Sequence, residues 1–264
     1  MTDPFRADEY WENRLRAHYH ERGVGDISLS RAYNSWLYAV RRRVFRRLLR
    51  QLQIEPADTR VLDVGSGTGV YVREWQSWGA RQVTGCDITE IAVDRLARSF
   101  PAVRFLRVDI GASDLDGLAH ESYEVISALD VLFHIVDDSS YNRAIANIAS
   151  LLVPGGWFIY SDNLVHREMR ISHYVSREET DILGTLRLNG FQVRRRVPMF
   201  VLMNQPVRTS SRLVRRWFSI VYRLARRGEV IGAFTGAALY PIELAATRLI
   251  RNGPSTEIVV CQRM

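Results

Sequence analysis

Lysine is missing altogether: every one of the 36 basic residues in this chain of 264 is arginine. That excludes the catalytic Tyr-x-x-x-Lys pair of nicotinamide-dependent dehydrogenases. Cysteine is scarce. Cys86 and Cys261, the two present, both fall in apolar runs, which leaves no disulfide framework and no cysteine metal spacing. No metal is expected, and a reducing cytoplasm is the expected location. The first residues, Met1 to Phe5, lack the basic-then-apolar pattern of a secretion signal. No internal repeat and no low-complexity tract occurs. Hydrophobic residues at 47% and charged residues at 25% are ordinary for a folded soluble protein. The length suits one α/β domain with an appendage.

What is present begins with Arg60-Val61-Leu62-Asp63-Val64-Gly65-Ser66-Gly67-Thr68-Gly69. A short apolar run that ends in alternating glycines reads as a buried strand turning into a helix, with exposed N–H groups facing a ligand. Glycines there allow backbone angles that a Cβ disfavours and let a ligand approach the main chain. A dinucleotide fingerprint would place its third glycine at position 70, which is Val70. Gln82–Asp87 reads as a second strand ending in an acid 22 residues after Gly65. A carboxylate at that strand tip can accept ribose hydroxyls of an adenosine cofactor. Val103–Ile110 reads as a third strand and Tyr123–Asp130 as a fourth with its exit. At Leu151–Ile159 a helix ends, Pro154-Gly155-Gly156 turns, and a fifth strand begins. Phe191–Val197 and Glu257–Cys261 supply a sixth and a seventh. Arg194, Arg195 and Arg196 are expected to solvate an edge strand. Ser176, Arg177 and Glu179 have the spacing of a capping box that starts a helix.

The Asp-x-Gly-x-Gly-x-Gly turn, with acids at the following strand tips, resembles the first motif of class I S-adenosylmethionine methyltransferases. The likeness covers about residues 55–200 and the last strand. It implies an α/β, Rossmann-like fold: a seven-stranded, mostly parallel sheet flanked by helices, with N-terminal helices and a helical insert before the last strand. It implies S-adenosylmethionine as cofactor, held by Asp63, Gly65, Ser66, Gly67, Gly69, Asp87, Ile88, Asp109, Ile110, Leu129 and Asp130. The expected reaction is methyl transfer to a hydroxyl, with an amine as second choice, on a small molecule, sugar or lipid-linked acceptor. Such transfer needs alignment and a deprotonated nucleophile. His134 and His166 are the first candidates for the base, and Tyr33, Tyr38, Asp162 and Asn163 for substrate contact. Asp137-Asp138 reads as a solvated helix start. Nucleic-acid substrates are disfavoured, because neither an Asn/Asp-Pro-Pro-aromatic segment nor a Pro-Cys nucleophile is present. The rival from another class is a binding or scaffold protein that keeps the fold without turnover.

Charge divides the chain. Residues 204–254 hold nine arginines against two acids, Glu229 and Glu243, and so carry the entire net charge of +7. The expected organisation is an N-terminal helical cap at 1–53, a cofactor-binding core at 54–203, a basic and apolar helical insert at 204–254 and the last core strand at 255–264. In Arg212–Arg227, apolar Leu213, Val214, Trp217, Phe218, Ile220, Val221 and Leu224 share one arc at helical period, with arginines opposite. Val230–Ile250 is mostly apolar but is broken by Pro241, Glu243 and Arg248, too polar for a secure membrane span. One reading makes the insert a lid. The other makes Arg212–Arg227 a peripheral contact with the inner membrane face, which would suit a lipid or glycolipid acceptor. A homodimer is a further way to cover the apolar half.

Overall fold

The computed structural model describes residues 5–52 and 54–264. Residues 1–4, which carry most of the reading of a missing secretion signal, and residue 53, at the edge of the expected cap, lie outside them. In chain order the elements are α1 (Ala7–Ala17), α2 (Glu21–Val24), α3 (Arg31–Leu49), β1 (Arg60–Val64), α4 (Val70–Trp78), β2 (Gln82–Asp87), α5 (Glu90–Ser99), β3 (Arg104–Arg107) and β4 (Tyr123–Ala128). There follow α6 (Asp138–Leu151), β5 (Leu152–Asp162), β6 (Met169–Ile171), β7 (Tyr174–Ser176), α7 (Glu179–Leu188), β8 (Phe191–Pro198), α8 (Arg212–Ala225), α9 (Glu229–Leu249) and β9 (Glu257–Arg263). The chain divides into two compact units. One holds Met1–Asn13, Ile54–Arg195 and Ile258–Met264, the other Arg14–Gln53 and Arg196–Glu257.

The first unit is built on a seven-stranded sheet ordered β3-β2-β1-β4-β5-β9-β8. β1 lies parallel to β2 and β4, with Val61 opposite both Val83 and Val125; β2–β3 and β4–β5 are parallel too. Parallel strands are covered on both faces, and their near-continuous apolar runs follow from that. Leu62, Ile126, Phe158 and Val259 meet Ile145 and Ile148 of α6 and Ile182 and Leu186 of α7 in one buried cluster. Alternation along β1 sends Asp63 to the other face. The chain leaves β1 toward β2 and later returns on the far side as β4. Their C-terminal tips therefore border the crevice where ligands of open α/β sheets bind.

Three local expectations change. The third strand is shorter than Val103–Ile110, because beyond Arg107 the chain turns: Asp109 Oδ1 accepts the Gly111 N–H at 2.8 Å. Pro154-Gly155-Gly156 does not precede β5 but lies within it, where Gly155 adopts φ +78°. The register with β4 shifts between Tyr123 and Val125, so these residues form a bulge that costs the strand no continuity. The capping box does not form. Ser176 ends β7, its hydroxyl accepting from Asn163 Nδ2 at 2.8 Å, and α7 starts at Glu179 after Glu178.

The second unit is helical. Ser30 caps α3 by accepting the Tyr33 N–H, and α3 buries Tyr33, Leu37, Tyr38, Val40, Val44 and Leu48. α9 packs on α3 through Gly236, where a Cβ would come within 2.2 Å of the Trp36 ring. Glu243, on the same buried face of α9, is fully enclosed and accepts the N–H groups of Val201 and Leu202 at 2.6 and 2.8 Å. Arg196 is no solvating edge residue: it bonds the buried Glu257 at 2.8 Å, as does Arg208.

Candidate active site

The turn after β1 is held by its neighbours. The N–H groups of Gly65 and Ser66 both donate to Cys86 O of β2 at 2.8 and 3.0 Å, Gly67 N–H donates to Asp87 Oδ2 at 2.9 Å, and Gly69 N–H donates to Ser66 O at 2.8 Å. These donors are used inside the protein. The turn itself adds shape, a bare backbone surface. Gly65 has φ +69°, and a Cβ there would come 2.4 Å from Val131 Cγ2. Only glycine lets the segment after β4 close against the turn.

Asp63 lies beneath this turn, 2% exposed. Trp75 Nε1 of α4 donates to Ser127 Oγ at 2.9 Å, and Ser127 donates to Asp63 Oδ1 at 2.6 Å. Burial outweighs these bonds and pushes the Asp63 carboxyl up to about 7. Asp87, also buried, accepts Thr89 N–H and Thr89 Oγ on Oδ1 as well as Gly67 N–H on Oδ2. Burial raises its pKa, and the three bonds oppose that. A carboxylate offers about four lone-pair positions. Three are used, and the remaining one belongs to Oδ2, the oxygen beside Gly67. The buried Thr68 Oγ1 has no hydrogen-bond partner among the described residues. A cradle without side chains, an acceptor position and an orphaned hydroxyl together fit a nucleoside-bearing cofactor.

Ile88 is half-buried next to Asp87, Asp109 is exposed, Ile110 and Leu129 point into the core, and Asp130 is half-buried at the exit of β4. Asp130 takes φ +60°, a left-handed conformation held by a reciprocal pair: its N–H donates to Ser161 Oγ at 2.7 Å, and that hydroxyl donates to Asp130 Oδ1 at 3.0 Å.

His134 follows in a short 3-10 turn, and its Nδ1 lies 2.9 Å from the carbonyl oxygen of His173. A carbonyl only accepts, so Nδ1 carries the proton in the neutral ring and Nε2 is the acceptor nitrogen. The ring packs edge-on to Trp11 at 4.7 Å and parallel to His173 at 6.2 Å, and Tyr10 stacks on His173 at 5.2 Å. α1 is anchored beside them by Glu12, whose Oε2 accepts Glu90 N–H at 2.9 Å at the start of α5. One turn of α1 thus joins the Asp87 side of the crevice to the His134 side. The hairpin β6–β7 that carries His173 is tied down by Asp138, which bonds Arg170 at 2.6 Å and Arg177 at 2.8 Å. Asp137 caps α6 and Asp138 opens it, both exposed as the sequence suggested; the two arginine bonds of Asp138 are an addition to that solvated helix start.

His166 is exposed in the loop after β5. Asp162 ends β5, Asn163 follows it, and both are buried; burial pushes the Asp162 carboxyl up to about 7, partly opposed by the Asn163 N–H and by Arg177. Tyr33 and Tyr38 are buried in the second unit, where the Tyr33 hydroxyl donates to Met203 O at 2.8 Å. Sequence reasoning did not single out Tyr10, Trp11, Glu12, Ser127 or Arg177 for this site.

A sequence model of a family described as "Methyltransferase domain" matches residues 36–195. A ubiquinone biosynthesis O-methyltransferase of Bordetella bronchiseptica is 37% identical over 105 residues, which cover 39% of this chain and 42% of that protein. The chain thus matches less than half the length of such curated relatives. The N-methyltransferase NodS of Bradyrhizobium japonicum, solved with S-adenosyl-L-homocysteine, superposes with TM-score 0.56 at 14% identity, over 97% of this chain and 98% of that one. A Burkholderia thailandensis 1,6-didemethyltoxoflavin-N1-methyltransferase, solved with its substrate and S-adenosylhomocysteine, gives TM-score 0.52 at 17% identity, over 100% and 93%. At these identities the likeness to the solved structures is one of fold.

Proposed function

The chain belongs to the methyltransferase-domain family, and we propose that it transfers the methyl group of S-adenosylmethionine to a hydroxyl of a small-molecule acceptor in the cytoplasm. When bound, the cofactor supplies an electrophilic methyl carbon on a sulfonium centre. The turn Gly65–Gly69 gives it a surface without side chains, and Asp87 Oδ2 accepts one ribose hydroxyl while holding Gly67 in place. Thr68, Ile88, Asp109, Ile110 and the β4 exit at Leu129–Asp130 border the same crevice. Asp63 acts beneath the turn as a positioning residue, wired through Ser127 to Trp75.

His134 is the base in this reading. Its Nδ1–H bonds His173 O, which orients the ring, and in this reading Nε2 is the nitrogen that takes the proton of an acceptor hydroxyl. Tyr10 and Trp11 form the apolar wall beside it, suited to a flat or aromatic acceptor. Nδ1 pinned to a main-chain oxygen is the single observation that carries the assignment. The O-methylating curated relatives favour a hydroxyl over an amine.

The test is to incubate the protein with S-adenosylmethionine carrying a trideuterated methyl group and a pool of candidate metabolites, and to search by mass spectrometry for labelled products. Labelled product that falls about 10²–10⁴-fold in His134→Gln is the expected result. Product formed equally well by His134→Gln would remove the base role. A protein that binds no S-adenosylmethionine in calorimetry would leave only the scaffold reading.

A further inference from the structure

The second unit exposes apolar surface on both helices of the insert. On α8, Leu213 is 79% exposed, and Trp217 and Ile220 are exposed with it; the helix buries only Val221 and Ala225. On α9, Phe234 is 73% exposed and Leu249 81%, with Val230, Ile231 and Ile242 along the same side. Isolated apolar side chains on a surface are ordinary, but a run of them along two helices is a docking surface.

α9 has the length and composition of a membrane span, 21 residues or about 31 Å of helix. Its packing rules that role out. The arc opposite the exposed one carries Gly232, Gly236, Glu243 and Thr247, buried against the rest of the unit, with Glu243 bonded to main-chain N–H groups. One face is therefore committed to protein, and only the other can meet lipid. That is the geometry of a helix lying in an interface.

Charge selects the occupant. At 100° per residue, Arg216 and Arg223 border the α8 strip of Leu213, Ile220 and Leu224 on one side. The two acids of the insert are both engaged, Glu243 as above and Glu229 on the N–H groups of Arg31 and Ala32 at 3.0 and 2.8 Å. No carboxylate of the insert remains to neutralise these arginines. A second copy seated symmetrically would set arginine against arginine.

We propose that the exposed faces of α8 and α9 dock on the surface of an anionic phospholipid bilayer. Leu213, Trp217, Ile220 and Phe234 enter the headgroup boundary, and the bordering arginines meet phosphate.

Co-sedimentation of the full chain with vesicles tests this. Binding to vesicles containing phosphatidylglycerol is expected to exceed binding to pure phosphatidylcholine at least tenfold, and to weaken with salt. Each of Arg216→Gln and Arg223→Gln is expected to reduce it about fivefold. Phe234→Ser, an exposed position whose change leaves the buried arc intact, is expected to reduce it on both vesicle types. Equal affinity for both vesicles, or no sedimentation, would overturn the proposal. So would a concentration-dependent dimer abolished by Phe234→Ser, which would assign the face to a second copy.

Discussion

Replacing Asp87 by alanine takes away the one side chain that both shapes the glycine turn and offers a lone pair to a ribose hydroxyl. Its carboxylate accepts three hydrogen bonds from Gly67 and Thr89, between 2.7 and 3.0 Å. A hydrogen bond to a charged group contributes about 1.5–3 kcal/mol. Loss of the ribose bond alone should therefore weaken S-adenosylmethionine binding about 10- to 150-fold. Release of the Gly67 N–H loosens the turn and adds to that loss. Calorimetric titration of wild type and Asp87→Ala gives the ratio directly, with a thermal melt to verify that the variant folds. Thr89→Val is the matched control: it removes one support of the carboxylate without touching the Gly67 bond, and should cost less than tenfold. If Asp87→Ala bound the cofactor within twofold of wild type, the ribose assignment would be refuted, and with it the use of the β2 tip as a cofactor contact.

Two further outcomes are expected. Asp63, pushed up to about 7 by burial, binds a proton in the folded state where the unfolded chain, with an ordinary carboxyl near about 3.9, has released it. Its contribution is thus fully present below about pH 4 and is lost as pH rises toward 7. Urea unfolding at pH 4.5 and 7.5 should show Asp63→Asn gaining stability relative to wild type at the higher pH; a pH-independent difference would contradict the buried carboxyl. Glu243→Ala strands the N–H groups of Val201 and Leu202 in a fully buried site, and at about 1–3 kcal/mol for each the second unit should lose about 2–6 kcal/mol in urea unfolding followed by tryptophan fluorescence.

Local chemistry was legible in the sequence, and contacts between distant segments were not. β2 occupies Gln82–Asp87 as the apolar run and its terminal acid implied, and β8 runs one residue past its expected Phe191–Val197. The amphipathic pattern at Arg212–Arg227 became α8, because the 3.6-residue period depends only on near neighbours. Pro154-Gly155-Gly156 misled, since the residues of a turn and those of a bulge are the same. Gly232 and Gly236 read as ordinary members of an apolar run, and their use appears only once Ser30 and Trp36 stand opposite. Asp138 is exposed at the start of α6 as expected, but its two arginine partners lie 32 and 39 residues away and were not legible. Glu12 caps a helix that starts 78 residues later. No spacing rule reaches that far.

The two proposals rest on separate residues, and this makes them separable by experiment. Every side chain assigned to cofactor and base belongs to the first unit, including Tyr10, Trp11 and Glu12; Leu213, Arg216, Arg223 and Phe234 belong to the second. Mutations at sites that share no partners have effects that add. Arg216→Gln with Phe234→Ser should therefore leave S-adenosylmethionine affinity unchanged while vesicle binding collapses, and Asp87→Ala should do the reverse. If the vesicle-binding variants instead changed cofactor affinity severalfold, the two surfaces would be coupled, and the insert would be acting on the crevice as the lid that its place in the sequence first suggested.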